Sequence, residues 1–186
     1  MTVPAVIDQR FRAAAAAQGL LDVAYEVTDS PVGPLLVAVT DIGVCRVSFD
    51  ADPEHHLDEL ARAFGVRVLR SAPPTDVARR ALDEYFQGRR EDFGLSVDLR
   101  PLRPFQRLVL TELARVSYGR TATYGELASR IGKPGASRSV GSALNRNPIP
   151  ILLPCHRIVG SRGNLVGYAG GLERKRTLLE LEGVVL

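Results

Sequence analysis

A cysteine and a histidine stand side by side at Cys155 and His156, after an apolar run and before a glycine-containing turn. A thiol held beside a base can become a nucleophile, because the base accepts the proton that the thiol must lose. A Cys–His pair alone is weak evidence, since buried cysteines are usually inert core residues. The pair is therefore interpreted together with the whole string from Asn147 to Gly160, which predicts a nucleophilic site at Cys155.

Composition is that of an ordinary soluble chain of one or two domains, with 186 residues, 45% hydrophobic and 24% charged. No apolar run approaches the roughly 18 residues that a membrane span needs. Charges at Asp8 and Arg10 interrupt the N-terminus, so it does not resemble a secretory signal. We therefore expect a cytoplasmic protein with no membrane partner, in which Cys45 and Cys155 stay reduced.

Charge is distributed unevenly along the chain. Residues 1–100 hold 11 Lys/Arg and 16 Asp/Glu, whereas residues 101–186 hold 13 and 5, which gives net charges of −5 and +8. Arginine makes up 22 of the 24 basic residues, which reflects composition as much as selection. That bias does not explain the loss of acids from the second half. A basic half suits contact with phosphates and favours nucleic acid as the partner.

The first hundred residues have the patterns of an α/β domain at 21–100, preceded by a short extension at 1–20 that is helical through its alanines. Cys45 lies within an apolar strand and is expected to be a small core residue. Adjacent His55 and His56 diverge on a helix and lack further ligands, so we expect no metal site. The predicted strands are Val23–Thr28, Leu35–Thr40, Gly43–Phe49 and Val66–Leu69. The predicted helices are Pro53–Phe64 and Thr75–Phe86.

Residues 101–186 form the second predicted domain, which is mostly helical. Pro101–Pro104 is the hinge into it. Gly132–Gly135 separates two of its helices by a tight break, which is typical of a helix-turn-helix DNA reader. The predicted helices are Phe105–Val116, Tyr124–Ile131 and Ala136–Asn145.

The exposed face of the third helix is small apart from its arginines. At 100° per residue, Arg138, Gly141, Ser142 and Asn145 point away from the apolar stripe. Readers of base sequence usually place several long polar side chains on this face. A smooth surface with one projecting arginine favours DNA binding that does not depend on base sequence, with one side chain inserted into the duplex.

These motifs together resemble the O6-alkylguanine-DNA alkyltransferases over residues 23–186, most strongly at 105–183. The resemblance implies a ribonuclease H-like first domain with a small antiparallel sheet and helices, and a winged-helix-like second domain. It implies that the alkyl group of O6-alkylguanine, or of O4-alkylthymine, in double-stranded DNA moves irreversibly onto the protein's own cysteine. It implies no cofactor and a monomer, and leaves cooperative binding along DNA open.

The resemblance also assigns roles to individual residues. Cys155 matches the acceptor thiol, His156 the base acting through a water, and Glu182 the carboxylate that orients the histidine. Arg138 matches the finger that fills the gap left by a flipped nucleotide, and Tyr124 the tyrosine that assists flipping and the leaving guanine. Further DNA contacts are expected at Thr123, Tyr124, Ser137, Gly141 and Ser161. Pocket and hinge positions are expected at Asn147, Pro150, Ile158, Tyr168 and Ala169.

Chemistry explains the need for a base, since a free thiol with a pKa near 8.5 is only about 3% ionised at pH 7. In an extended chain the Cys155 and His156 side chains point apart, so an intervening water is expected. Two other classes stay open at this point: a non-catalytic alkylated-DNA-binding or regulatory protein, and a cysteine hydrolase. A zinc site built from N-terminal cysteines is ruled out, because Cys45 is the single cysteine of residues 1–100.

Overall fold

A four-stranded sheet organises the first half of the chain in the computed structural model, which describes residues 5–185. Residues 1–4 of the predicted extension and Leu186 lie outside this range. Helix α1 (Ala5–Ala17) covers the alanines, as expected, and strands β1 (Val23–Thr28), β2 (Leu35–Val39) and β3 (Val44–Ser48) follow it. The next elements are α2 (Glu54–Phe64), β4 (Val68–Arg70) and α3 (Ala72–Phe86).

The sheet has the order β3-β2-β1-β4 and is mixed. β1, β2 and β3 pair antiparallel, but β4 pairs parallel to β1, so the predicted antiparallel sheet needs this correction. The parallel strand arises because α2 connects β3 to β4 as a crossover, which a hairpin could not do. One apolar cluster packs this sheet against α2. Its fully or nearly buried members include Val23, Leu36, Ala38, Cys45 and Leu60.

Helices dominate the second half. The elements are α4 (Pro104–Leu113), β5 (Ala122–Thr123), α5 (Tyr124–Arg130), α6 (Ser137–Asn145), a 3-10 turn (Cys155–Arg157), β6 (Ile158–Val159) and α7 (Leu172–Leu181). α4, α5 and α6 pack on one another, which confirms the predicted helix-turn-helix. β5 and β6 form a two-residue parallel pair that places the start of α5 beside the chain that follows the 3-10 turn.

Two compact units divide the chain. The first contains the described residues up to Glu84 together with Gly94–Pro101, and the second contains Tyr85–Phe93 and the described residues from Leu102 onward. Residues 85–93, which sequence analysis placed in the first domain, therefore group with the second. Within residues 5–185 no helix is both long and apolar enough to cross a membrane.

Candidate active site

Cys155 lies on the first residue of the 3-10 turn, in the second unit, with its side chain almost wholly buried. The amide of Asn147 donates Nδ2–H bonds to the Cys155 Sγ (3.2 Å) and to the Leu153 carbonyl (2.8 Å). The Asn147 Oδ1 accepts the Ile149 N–H at 3.0 Å. The turn between α6 and the thiol is thus tied together by Asn147, at the position where sequence analysis expected it.

Backbone strain accompanies this turn at Ile151. Its φ of 75° lies in the left-handed region, which a β-branched residue rarely adopts, and its side chain is fully buried. The hydrogen bond from the Leu153 N–H to the Ile149 carbonyl (2.9 Å) closes the same turn. Such strain persists where surrounding contacts over-determine the conformation, and here they fix the approach of the chain to Cys155.

The chain at Cys155 and His156 is not extended, so that expectation is wrong. Pro154 directs the chain into the 3-10 turn, which the Arg157 N–H closes on the Pro154 carbonyl at 2.9 Å. The Cys155 N–H bonds to the Leu153 carbonyl at 2.8 Å. The orientation of the imidazole is then set by the partner that holds it.

That partner is Glu182, which follows α7. Its Oε1 lies 2.8 Å from the His156 Nε2, and both side chains are fully buried. Because burial lowers the pKa of His156, the imidazole is neutral near pH 7. An ionised carboxylate can only accept, so Nε2 carries the proton and Nδ1 carries the free lone pair. His156 Nδ1 is buried and has no hydrogen-bond partner among the described residues, so its lone pair is free to accept a proton.

Three further groups converge on the Glu182 carboxylate. Arg157 donates from Nε to Oε2 (2.9 Å) and from Nη2 to Oε1 (3.0 Å), Tyr85 donates its hydroxyl to Oε1 (2.7 Å), and the Gly119 N–H donates to Oε2 (3.3 Å). Gly119 has a φ of 68°, a conformation that glycine adopts without strain. Burial favours the neutral acid, but the bonds from His156 and Arg157 outweigh it and lower the pKa of Glu182 to about 2.

The thiol itself is protonated at rest. Burial raises the pKa of Cys155 to about 11, although the Asn147 hydrogen bond opposes the shift. The ionised fraction near pH 7 is therefore well below the value expected for a free thiol. Removal of the thiol proton near pH 7 therefore requires a base even more than the ordinary pKa of a free thiol indicates.

A pocket of about 460 Å³ opens beside the thiol. Tyr124 lines it, and its hydroxyl donates to the Gly167 carbonyl at 3.4 Å. The predicted wall residues Tyr168 and Ala169 also line it. The remaining lining residues, in addition to Cys155, are Gly141, Ser142, Leu144, Asn145, Val166 and Gly167.

The pocket is edged by the helix-turn-helix. Thr123 caps α5 through a reciprocal capping box with Glu126. On α6, Val140, Ala143 and Leu144 are buried, while Arg138 is exposed, as the periodicity predicted. Two other residues expected to contact DNA differ in exposure. Ser137 is half-buried at the start of α6, and Ser161 is exposed in the turn after β6.

Two of the predicted pocket and hinge residues do not line this pocket. Ile158 is fully buried in β6 and does not line the pocket, because β6 pairs with β5 and directs this side chain into the core. Pro150 is buried and forms an isolated backbone bridge with Leu153. Both belong to the support of the turn that carries the thiol.

Sequence reasoning also missed three buried groups. Tyr85 and Arg157 hold Glu182, and Lys175 of α7 is fully buried with its Nζ 2.5 Å from the Ile158 carbonyl and 2.9 Å from the Val166 carbonyl. Tyr85 lies 97 residues from Glu182, so no local pattern could pair them. Arg157 follows the Cys–His pair directly and could have been noticed as a second partner for the acid.

Elsewhere in the described chain, Cys45 and Cys155 are free thiols, and Cys45 packs in the first core as predicted. The His55 ring bonds to the Asp50 carboxylate at 2.8 Å and the His56 ring to the Asp50 carbonyl at 2.9 Å. No group of three or more His, Cys, Asp or Glu residues within 5–185 is placed to hold a metal ion.

A thiol next in sequence to a buried imidazole, beside a pocket edged by a helix-turn-helix, is the arrangement of a cysteine-dependent enzyme built on a nucleic-acid-binding scaffold. Two family models match the chain: the ribonuclease-like domain of 6-O-methylguanine DNA methyltransferase at residues 23–99, and the DNA binding domain of the same family at residues 104–184. The chain belongs to the 6-O-methylguanine DNA methyltransferase family. The predicted two-domain fold and family are thereby confirmed.

Similar proteins support this assignment over most of the chain. A methylated-DNA–protein-cysteine methyltransferase of Methanosarcina acetivorans is 41% identical over 160 residues, which cover 86% of this chain and 97% of that protein. The Mycobacterium bovis protein of the same name is 39% identical over 163 residues, covering 85% and 91%. A crystal structure of Mycobacterium tuberculosis OGT in complex with DNA superposes with a TM-score of 0.73 at 38% identity, covering 86% of this chain and 92% of that one.

Proposed function

We propose that this protein repairs double-stranded DNA by moving the alkyl group of O6-alkylguanine, or of O4-alkylthymine, irreversibly onto its own Cys155. One observation carries the proposal: Cys155 lines a pocket beside α6, and a neutral imidazole held by an ionised carboxylate adjoins it in the chain. The names of the relatives, methylated-DNA–protein-cysteine methyltransferase, specify a methylated-DNA donor and a cysteine acceptor.

The target base must leave the duplex stack before the thiol can reach it, at a cost of a few kcal/mol. Arg138 is exposed on the face of α6 that otherwise carries small side chains, so it is suited to fill the gap and offset part of that cost. Thr123, Ser137, Gly141 and Ser161 supply small groups for contact with the DNA backbone. Tyr124 lines the pocket wall, which supports a contact between its side chain and the extruded nucleotide.

Alkyl transfer is a direct displacement. The Cys155 proton passes through a water to the His156 Nδ1, the thiolate attacks the alkyl carbon, and an S–C bond forms as the C–O6 bond breaks. The electron pair of the broken bond stays on guanine, which takes up one proton to become the normal base. Tyr124 and backbone N–H groups near Ala169 stabilise the charge on the leaving base. The thioether offers no leaving group for water, so each molecule acts once.

Single use gives the experiment that tests the proposal. Increasing amounts of duplex with one O6-methylguanine are mixed with a fixed amount of protein, and restored guanine is counted by chromatography of the digested DNA. We expect a plateau at one restored base per protein molecule. Continued repair beyond that ratio would show turnover, and binding of the damaged duplex without any repair would show a binding protein.

Replacement of Arg138, the arginine proposed to fill the gap left by the flipped base, gives a second prediction. We expect Arg138→Ala to slow repair of duplex at saturating protein by about tenfold to a hundredfold, because the gap left by the base is no longer filled. Methyl transfer from free O6-methylguanine base should be unchanged, since no base is extruded. Arg146→Ala is the matched control, because it removes an equal charge from the exposed end of the same helix. Equal losses with duplex and free base in Arg138→Ala would contradict an insertion role.

A further inference from the structure

A tyrosine hydroxyl shares the carboxylate oxygen that holds the imidazole of this site. Tyr85 lies at the end of α3, in the segment that groups with the second unit, and its side chain is fully buried. Its hydroxyl donates to the Glu182 Oε1 at 2.7 Å, and the same oxygen lies 2.8 Å from the His156 Nε2. The hydroxyl and the imidazole therefore compete for one atom.

The Glu182 Oε1 has more donors than lone pairs. A carboxylate oxygen offers about two lone-pair directions, yet among the described residues Oε1 receives three donors. They come from Tyr85 at 2.7 Å, His156 at 2.8 Å and Arg157 at 3.0 Å. Because each donor draws negative charge from the oxygen that it binds, the Tyr85 hydroxyl weakens the attraction of Oε1 for the His156 Nε2–H.

The Tyr85 hydroxyl remains a donor, because burial and the adjacent Glu182 carboxylate raise its pKa. Three aromatic rings hold the Tyr85 ring in place. The ring centroids of Phe93, Phe86 and Tyr118 lie 5.2, 5.3 and 6.1 Å from that of Tyr85. Tyr118 stays neutral as well, since burial raises its pKa. These ring contacts do not involve the hydroxyl, so the ring positions Tyr85 and the oxygen acts on the carboxylate.

We propose that Tyr85 is a positioning residue of this site, which competes with His156 for the Glu182 Oε1 and so limits how strongly the imidazole draws the thiol proton. When the His156 Nδ1 takes that proton, the imidazole becomes a cation, and a carboxylate with fewer other donors stabilises the cation more. Tyr85 thus favours the neutral resting state, in which the thiol keeps its proton. This role rests on the proposed function, because it concerns the base that activates the acceptor thiol.

Charged groups near the imidazole keep their charge below pH 6.5, where His156 takes up its proton. Burial lowers the pKa of His156, and the bond to Glu182 raises it. The cations Arg157 and Lys175 lower it further. Lys175 has a pKa of about 8 and stays charged in this range, and Glu182, with a pKa of about 2, stays ionised above pH 4.5. A changed titration of His156 after loss of the Tyr85 hydroxyl therefore reports the hydrogen bonds at Oε1.

The test is nuclear magnetic resonance of the whole protein with isotope-labelled histidine and no DNA. The chain has three histidines, so His156 is assigned by comparison with His55→Gln and His56→Gln. In Tyr85→Phe we expect the His156 Nε2–H proton to move downfield at pH 7, because the carboxylate that attracts it has lost a donor. The midpoint of the Nδ1 titration should rise by about one pH unit.

Tyr118→Phe is the matched control. It removes a hydroxyl from the same aromatic cluster, but that hydroxyl donates to the Leu181 carbonyl at 2.9 Å and not to the Glu182 carboxylate. The His156 resonance and titration of this variant should match those of the wild type. A second measurement needs no substitution: protein grown with 3-fluorotyrosine carries a more acidic hydroxyl, which is a stronger donor, so the Nε2–H proton should move upfield.

A folded Tyr85→Phe protein whose His156 Nε2–H proton stays in place or moves upfield would overturn the proposal. Equal shifts in Tyr85→Phe and Tyr118→Phe would do the same, and so would a fluorotyrosine protein without the upfield shift. Because these resonances are measured without DNA or alkyl transfer, the outcome is independent of the proposed repair reaction. Absence of repair together with the expected shifts would reject the function and leave the role of Tyr85 in place.

Discussion

Glu182→Gln is expected to destabilise the protein by about 3 to 5 kcal/mol, because it leaves Arg157 as a buried charge without a counter-ion. Arg157 is 5% exposed and directs two N–H groups at the carboxylate. A glutamine amide offers one acceptor oxygen, and its NH₂ group would face donors from Tyr85, His156 or Arg157. The measurement is urea unfolding at pH 7, with Glu180→Gln, an exposed acid in the last turn of α7, as the control.

The same substitution changes the pH dependence of stability in a fixed direction. The pKa of Glu182 is lowered to about 2 from an ordinary value near 4.5, so its ionisation stabilises the fold fully above pH 4.5. That contribution, about 3 kcal/mol, is lost as the pH falls from 4.5 towards 2. Wild-type stability should therefore fall more steeply over this window than that of Glu182→Gln. Parallel curves of unfolding free energy against pH for wild type and Glu182→Gln would contradict the account. A loss of unfolding free energy at pH 7 no larger in Glu182→Gln than in Glu180→Gln would contradict it as well.

Cys155→Ser should abolish methyl transfer from duplex to protein. A serine hydroxyl is a far weaker acid than a thiol, and the neighbouring imidazole cannot produce enough alkoxide to displace an alkyl group. The readout is transfer of radiolabelled methyl from O6-methylguanine duplex to protein. DNA binding should survive, because the Cys155 Sγ has one side-chain hydrogen bond among the described residues, from Asn147, and a serine hydroxyl can accept the same bond.

Cys45→Ala is the matched control for that loss. Cys45 is the only other cysteine, is 2% exposed in the core of the first unit, and has its pKa raised to about 12 by burial. It should neither receive the methyl group nor be needed for transfer. Radiolabel on Cys155→Ser, or its loss from a folded Cys45→Ala, would assign the acceptor elsewhere.

Most of the fold could be predicted from local sequence patterns. β1 was predicted with its observed bounds, and the break at Gly132–Gly135 separates α5 from α6, because strand alternation, helical periodicity and glycine turns act over a few residues. α7 was not predicted as a helix. Its buried stripe includes Lys175 together with Leu178 and Leu179, so a charged residue occupies a position where periodicity expects an apolar one.

The site was predictable only in part, for a physical reason. The thiol and its base are adjacent in the chain, so residue types could identify them, and Glu182 entered through the family resemblance. Tyr85 reaches the same carboxylate from 97 residues away, a pairing that only tertiary packing decides. The raised pKa of Cys155 could not be predicted either, because it comes from burial, which the spacing of residues in the sequence does not encode.

The most direct test of the account is the mass of the protein's own peptides after reaction with a duplex that contains O6-methylguanine. We predict that the peptide with Cys155 gains one methylene unit in proportion to the guanine restored, and that the peptide with Cys45 is unchanged. Restored guanine with an unmodified Cys155 peptide would contradict the central claim.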